Sequence, residues 1–214
     1  RSLALFDKPD PLEGPFFEET IYVTPSRETA STQSAIVETV TRAARALGLW
    51  HGPLHAEARV NDAGVFMLEI AARPIGGLCA RALRFRLPGQ EHPIPLEEFL
   101  VLHAIGEMPP EYAPAAASTG VMMIPVPRAG VFQAVRGVDK AMATPGVEDV
   151  IITAKPGETL VPLPEGASYT GFLFAGGPDA QATENSLRKA HGALRFDILS
   201  ALDVLRQEKG LALN

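Results

Sequence analysis

The sequence predicts an α+β fold of antiparallel strands and amphipathic helices, arranged in two blocks. Three observations carry this. Residues 51–60 and 64–72 alternate in polarity around Asn61-Asp62-Ala63-Gly64, strong turn chemistry that makes them a hairpin. Residues 31–47 repeat apolar side chains at helical spacing. The stretch 108–118, Met-Pro-Pro-Glu-Tyr-Ala-Pro-Ala-Ala-Ala-Ser, reads as a linker between two different patterns.

In chain order, residues 1–14 read as a lead-in loop rich in Pro and Asp. Residues 16–24 read as a strand in which Glu19 shares a face with Ile21 and Val23, and Glu18 with Thr20 and Tyr22. The helix over 31–47 carries Ile36, Val37, Val40, Ala43, Ala44 and Leu47, and Gly48 closes it. After the hairpin, residues 78–85 read as a short helix and 88–95 as a loop. Residues 95–106 form a second amphipathic helix that offers Leu96, Phe99, Leu100, Leu102 and His103 for packing. Beyond the linker, 119–126 and 147–154 read as strands, with a short helix over 137–143. Residues 169–175 form a strand that ends in Gly176-Gly177. Asp179 then caps a long helix whose stripe runs through Leu187, Ala190, Leu194, Ile198, Ala201 and Leu205. The expected domains are therefore 1–107 and 119–214, joined by 108–118.

The hairpin holds the chemistry. Leu54, Ala56, Ala58 and Val60 form one face of its first strand, and His55, Glu57 and Arg59 the other. On the second strand Phe66, Leu68 and Ile70 oppose Val65, Met67, Glu69, Ala71 and Arg73. A register that pairs 59 with 67 also pairs 57 with 69. Two carboxylates then stand directly across the ladder, with Cβ atoms about 5 Å apart, where like charges repel. A bound cation removes that repulsion, and oxygen ligation by two carboxylates, water and phosphate suits Mg²⁺. Arg73 is placed to take a phosphate oxygen with its guanidinium fork, and Gly76-Gly77 follow. A second reading stays open: acids on the wet face of a hairpin are often only solvated.

Composition bounds the class. With 214 residues, 46% hydrophobic and 21% charged, the chain can bury one ample core or two small ones. A net charge of −6 without a basic stripe excludes nucleic acid as the main partner. No apolar run approaches membrane-spanning length, and no stretch reads as a signal peptide. The single Cys79 permits no internal disulfide and fits a cytoplasmic protein.

The run from His55 to Gly77 resembles the end of the catalytic domain in the ATP-grasp superfamily, carboxylate–amine ligase branch. Two spacings carry the resemblance: 12 residues from Glu57 to Glu69, and 4 from Glu69 to Arg73. It implies Glu57 and Glu69 as ligands of Mg²⁺ (or Mn²⁺), ATP as cofactor, and Arg73 as the residue on the transferred phosphate. It implies Gly76 and Gly77 at the phosphates, and Glu19 as an acid that helps bind substrate or nucleotide. Ala71 departs from the pattern, since many members carry a metal-binding Asn two residues after the second Glu. The second block resembles the small C-terminal domain of L-amino-acid ligases and purine-pathway relatives. The lysines Lys8, Lys140, Lys155, Lys189 and Lys209 fit no nucleotide-binding role, and no glycine-rich lid is present. With Arg1 in place of Met, the chain reads as the C-terminal portion of a longer enzyme, inactive without its N-terminal domains. The implied reaction joins a small-molecule carboxylate to an amine through an acyl phosphate, and a homodimer is admitted. The rivals are another ATP-grasp activity, such as formate-dependent purine synthesis or a biotin-carboxylase-like reaction, and a non-catalytic α+β binding module.

Overall fold

The computed structural model describes residues 1–10, 20–76, 78–163, 165–166, 168–200 and 203. In chain order the elements are β1 (Ile21–Thr24), α1 (Ala30–Ala46), β2 (His55–Asn61), β3 (Gly64–Ala71), a 3-10 turn (Cys79–Ala82), β4 (Arg84–Arg86), β5 (Ile94–Pro95), α2 (Leu96–Ala104) and β6 (Ala113–Pro114). There follow β7 (Ser118–Ile124), β8 (Gly130–Arg136), α3 (Val138–Met142), β9 (Val147–Ile152), β10 (Thr159–Leu160), β11 (Gly171–Gly177), α4 (Ala180–Ala193) and β12 (Arg195–Leu199). The fold is α+β, with antiparallel sheets and helices in two compact units. One takes residues 1–7 and 24–117, the other 8–23 and 118–214. Residues 8–23, expected in the first block, thus group with the second.

In the first unit α1 begins at Thr29, whose hydroxyl accepts from the Thr32 amide at 3.2 Å. Its covered stripe is narrower than the apolar pattern predicts. Ile36 and Ala44 are buried, while Val37 and Leu47 stay exposed. This helix packs on β3 of the hairpin. A two-stranded hairpin is marginal alone, so α1 is what gives it a packing surface. A second cluster gathers Leu83, Phe85, Leu87, Ile94, Leu96 and Phe99. Tyr112 meets Phe85 and Phe99 edge-on, with ring centroids 5.7 and 4.8 Å away.

That cluster explains two departures from expectation. The helix expected over 78–85 is one 3-10 turn followed by β4, because pairing with β5 and β6 buries Phe85. The expected linker 108–118 carries β6, paired with β4, and the packed Tyr112. Its prolines remove backbone donors but leave Ala113–Pro114 able to sit at a sheet edge. The division between units falls after Ala117.

In the second unit the sheet order is β1-β7-β11-β9, with β7 and β9 both antiparallel to β11. Helices α3 and α4 pack with it, burying Ala141, Leu187 and Ala190 against Val23, Leu173 and Ala175. Asp179 caps α4 by accepting from the Ala182 amide at 2.8 Å. Gly120 admits the helix closely: a Cβ there would lie 3.0 Å from Thr183 Cγ2 and 3.1 Å from Leu187 Cδ1.

Helix α4 stops at Ala193 instead of running through Leu205. Arg195–Leu199 form β12, antiparallel to β8, a strand the sequence reading did not anticipate. Apolar Phe196 and Ile198 fit either a helix stripe or a strand, and the free edge of β8 decides for the strand. Ala201 and Leu205, the end of the expected stripe, lie outside the described residues.

Asp10 ties the start of this unit to α4. Arg188 donates to it at 2.6 Å and to Glu184 at 2.8 Å, and the Thr20 hydroxyl donates to it as well. Burial pushes the Asp10 carboxyl up, but the Thr20 and Arg188 hydrogen bonds and the Arg188 charge outweigh that and hold it below the ordinary value.

Two predictions follow from this packing. Gly120→Ala presses a methyl onto Thr183, Leu187 and the Tyr22 carbonyl, and should destabilise the protein by about 1–3 kcal/mol, read as a lower denaturant midpoint. The Asp10 carboxyl titrates lower in the folded than in the unfolded chain, so its contribution is present above the unfolded pKa of about 3.9 and is lost as pH falls through the folded value. The melting-temperature gap between wild type and Asp10→Asn should therefore hold steady near neutrality and close under acid.

Candidate functional site

The hairpin sets the site. Its turn is held by the Asn61 side chain, whose Oδ1 accepts from the Ala63 amide at 2.8 Å, and Gly64 follows at a φ of 129°. From that turn the ladder runs Asn61 to Gly64, Val60 to Val65, Arg59 to Phe66 and Ala58 to Met67. Leu68 is then passed over, and pairing resumes with Glu57 to Glu69, Ala56 to Ile70 and His55 to Ala71. The two acids stand directly across the ladder, as expected, but by a different register from the one the sequence suggests.

The expected pairing of 59 with 67 does not occur. A β-bulge at Leu68 takes up one residue, so Arg59 meets Phe66. Because side chains alternate, the bulge switches the faces of β3 below it. Phe66 moves to the face of Glu57 and Arg59, while Val65 and Met67 join Ala58 and Val60. The expected all-apolar face of β3 is thereby split, and Phe66 and Leu68 remain exposed.

The acids differ in surroundings. The Glu57 side chain is 19% exposed and lies beside His55, whose Nε2 is 3.8 Å from Glu57 Oε1. Glu69 is 54% exposed and faces Arg73, whose Nη2 is 3.6 Å from Glu69 Oε1, one helical-type spacing on in sequence but just past the strand end. Arg73 Nη1 also donates to the Pro74 carbonyl at 3.1 Å. A Cβ on Gly76 would lie 3.6 Å from that same Nη1, an ordinary van der Waals contact. Leu78 turns the chain away with a left-handed φ of 57°, uncommon for a branched side chain.

Among the described residues no three His, Cys, Asp or Glu side chains cluster to enclose a metal. Two opposed carboxylates still fit Mg²⁺, which uses one or two protein carboxylates and takes its other oxygens from water and phosphate. Glu19 and Gly77 lie outside the described residues. His103, read as a packing residue, stacks on His51 with centroids 4.6 Å apart. Cys79 is buried. His55 is the residue to which sequence reasoning assigned no role. Its signal was strand parity, since position 55 shares the face of Glu57 and meets the residue two beyond Glu69.

Known proteins resemble two segments of the chain. Residues 2–82 match the ATP-grasp domain family, and residues 122–198 match the L-amino acid ligase C-terminal domain 2 family. The L-amino acid ligase of Bacillus licheniformis superposes with a TM-score of 0.77 at 26% identity, over 92% of this chain and 48% of that one. The N5-carboxyaminoimidazole ribonucleotide synthetase of Thermotoga maritima shares the fold, with a TM-score of 0.62 at 14% identity, over 84% of this chain and 46% of that one. A Sinorhizobium fredii protein described as "uncharacterized protein y4rH" is 27% identical over 177 residues, 81% of this chain and 35% of its own length. The chain thus spans about half the length of these solved relatives and about a third of the Sinorhizobium protein. Glu57, Glu69 and Arg73 thus lie inside the segment that matches the ATP-grasp domain family, and the segment that matches the L-amino acid ligase C-terminal domain 2 family follows it in sequence.

Proposed function

We propose that this chain is the C-terminal portion of an ATP-dependent carboxylate–amine ligase that forms an amide bond with release of ADP and phosphate. The observation that supports it most is the Glu57–Glu69 pair with Arg73 beside it, inside the segment that matches the ATP-grasp domain. The first unit, residues 1–7 and 24–117, supplies the end of the catalytic domain, and the second, residues 8–23 and 118–214, is a small α+β domain. When bound, Mg-ATP supplies the phosphoryl group that turns a substrate carboxylate into an acyl phosphate, and the cation offsets charge on the phosphate oxygens.

The protein's own residues have separate tasks. Glu57 and Glu69 each offer a carboxylate oxygen to Mg²⁺ or Mn²⁺ from opposite strands. Arg73 presents two parallel N–H groups to the transferred phosphate, a geometry a lysine does not reproduce. Gly76 and Gly77 keep side chains out of the phosphate path. Glu19 binds substrate or nucleotide. The carboxylate and amine are small molecules, and the buried thiol of Cys79 suits a reducing, cytoplasmic setting. No helix among the described residues is long and apolar enough to cross a membrane.

The test compares variants of the full-length protein in steady-state phosphate release with Mg-ATP and amino-acid substrates. Glu69→Ala should abolish turnover, because it removes one of the two charged oxygen ligands that this site offers the cation. Arg73→Ala should lower kcat by about 10²–10³-fold with little change in nucleotide affinity, since its contact forms at the transferring group. Glu165→Ala, exposed in a turn of the second unit, should be silent. Residues 1–214 alone should melt cooperatively and release no phosphate. Full activity in a folded Glu69→Ala protein would return the hairpin acids to plain solvated residues, and amide-free turnover with formate or bicarbonate would assign a different ATP-grasp reaction.

A further inference from the structure

We propose that His55 is a positioning residue, which holds the Glu57 carboxylate in the orientation needed to meet a cation shared with Glu69; this rests on the two-carboxylate reading above. Positions 55 and 57 share one face of β2, and the ladder sets them across from Ala71 and Glu69. Four positions therefore form one patch: imidazole, two carboxylates and a methyl. Ala71 contributes no polar atom, so the imidazole is the polar group of its rung and reaches along its own strand to Glu57.

The burial of His55, the two acids and Arg73 separates their tasks. The His55 and Glu57 side chains are 15% and 19% exposed, with Nε2 3.8 Å from Oε1. The Glu69 and Arg73 side chains are 54% and 52% exposed, 3.6 Å apart. Each acid thus has its own nitrogen partner, Glu57 on the covered side and Glu69 on the open side. At 3.8 Å the His55 contact is longer than a hydrogen bond, and the proposed role requires Nε2 to close to about 2.9 Å when the cation is held. An imidazole N–H that donates to Oε1 fixes the plane of the carboxylate and leaves Oε2 to face across the ladder. Hydrogen-bonded second partners of this kind set ligand orientation at metal sites. Glu69 needs no such partner on the covered side, because Arg73 orients it from solvent.

Titration of Mn²⁺ into the 214-residue chain with inorganic phosphate, followed by the electron paramagnetic resonance of free Mn²⁺, tests this without relying on turnover. His55→Phe, which keeps the ring volume without a donor, should weaken Mn²⁺ binding about 10-fold or more, while His55→Gln, which keeps an N–H, should stay within about threefold of wild type. His55→Ala should match His55→Phe, and thermal melts identify the folded variants. Wild-type Mn²⁺ affinity in a folded His55→Phe or His55→Ala protein, or equal loss in His55→Gln, overturns the role of His55. Such a result with Mn²⁺ binding still abolished by Glu69→Ala leaves the two-carboxylate reading standing. Absence of Mn²⁺ binding in wild type, or wild-type affinity in Glu69→Ala, removes that reading and this one with it.

Discussion

Two carboxylates held across one rung of an antiparallel ladder are the constraint on which the first unit turns. Unit charges 4 Å apart repel by about 1 kcal/mol in water and by several times that where water is excluded. The hairpin accepts the pairing because other terms outweigh it. The Asn61 side chain and Gly64 set the turn, α1 packs on β3, and a bulge at Leu68 absorbs the residue that would otherwise shift the register. A slip of one residue would send Glu69 to the opposite face from Glu57 and leave no shared site. The bulge is therefore part of the site: it lets β3 bring Glu69 opposite Glu57 while Val65 and Met67 keep to the other side.

The same unit separates two kinds of charge neighbour. Glu57 sits in the covered half of the patch with His55, while Glu69 and Arg73 stand half in water. An exposed ion pair such as Glu69–Arg73 adds little to stability. In the proposed reading it keeps a guanidinium beside the two carboxylates. Gly76 lies beside that guanidinium. Folding stability in this unit comes from elsewhere, from the aromatic cluster of Phe85, Phe99 and Tyr112.

The second unit depends on pairings distant in sequence. β8 and β12 join residues about sixty positions apart, and Gly137, with a φ of 86°, lies where a Cβ would meet the Ala193 carbonyl at 2.2 Å. That close approach occurs where α4 ends, and the chain leaves the helix into a strand. Asp10 reaches Arg188 from the other end of the sequence and accepts from Thr20 as well, so Asp10 and β1 are held in this unit by charge and hydrogen bonding as well as by the β1–β7 pairing.

Much of this was legible in the residues. The α+β class, α1, α2, the hairpin and its turn follow from local signals: periodicity, Asn-Asp-Ala-Gly turn chemistry and strand alternation; the facing of Glu57 and Glu69 was expected from a register that the bulge replaces. Those signals act within a few residues, so no tertiary contact was needed to read them. The bulge at Leu68, the switch of Phe66 to the acidic face and the place of His55 beside Glu57 needed the register, since one passed-over residue leaves no mark in the sequence. The end of α4 and the strand β12 needed the partner β8. Arg195–Leu199 carry an apolar pattern that suits helix or strand, and a ladder with distant residues, not local preference, decided between them.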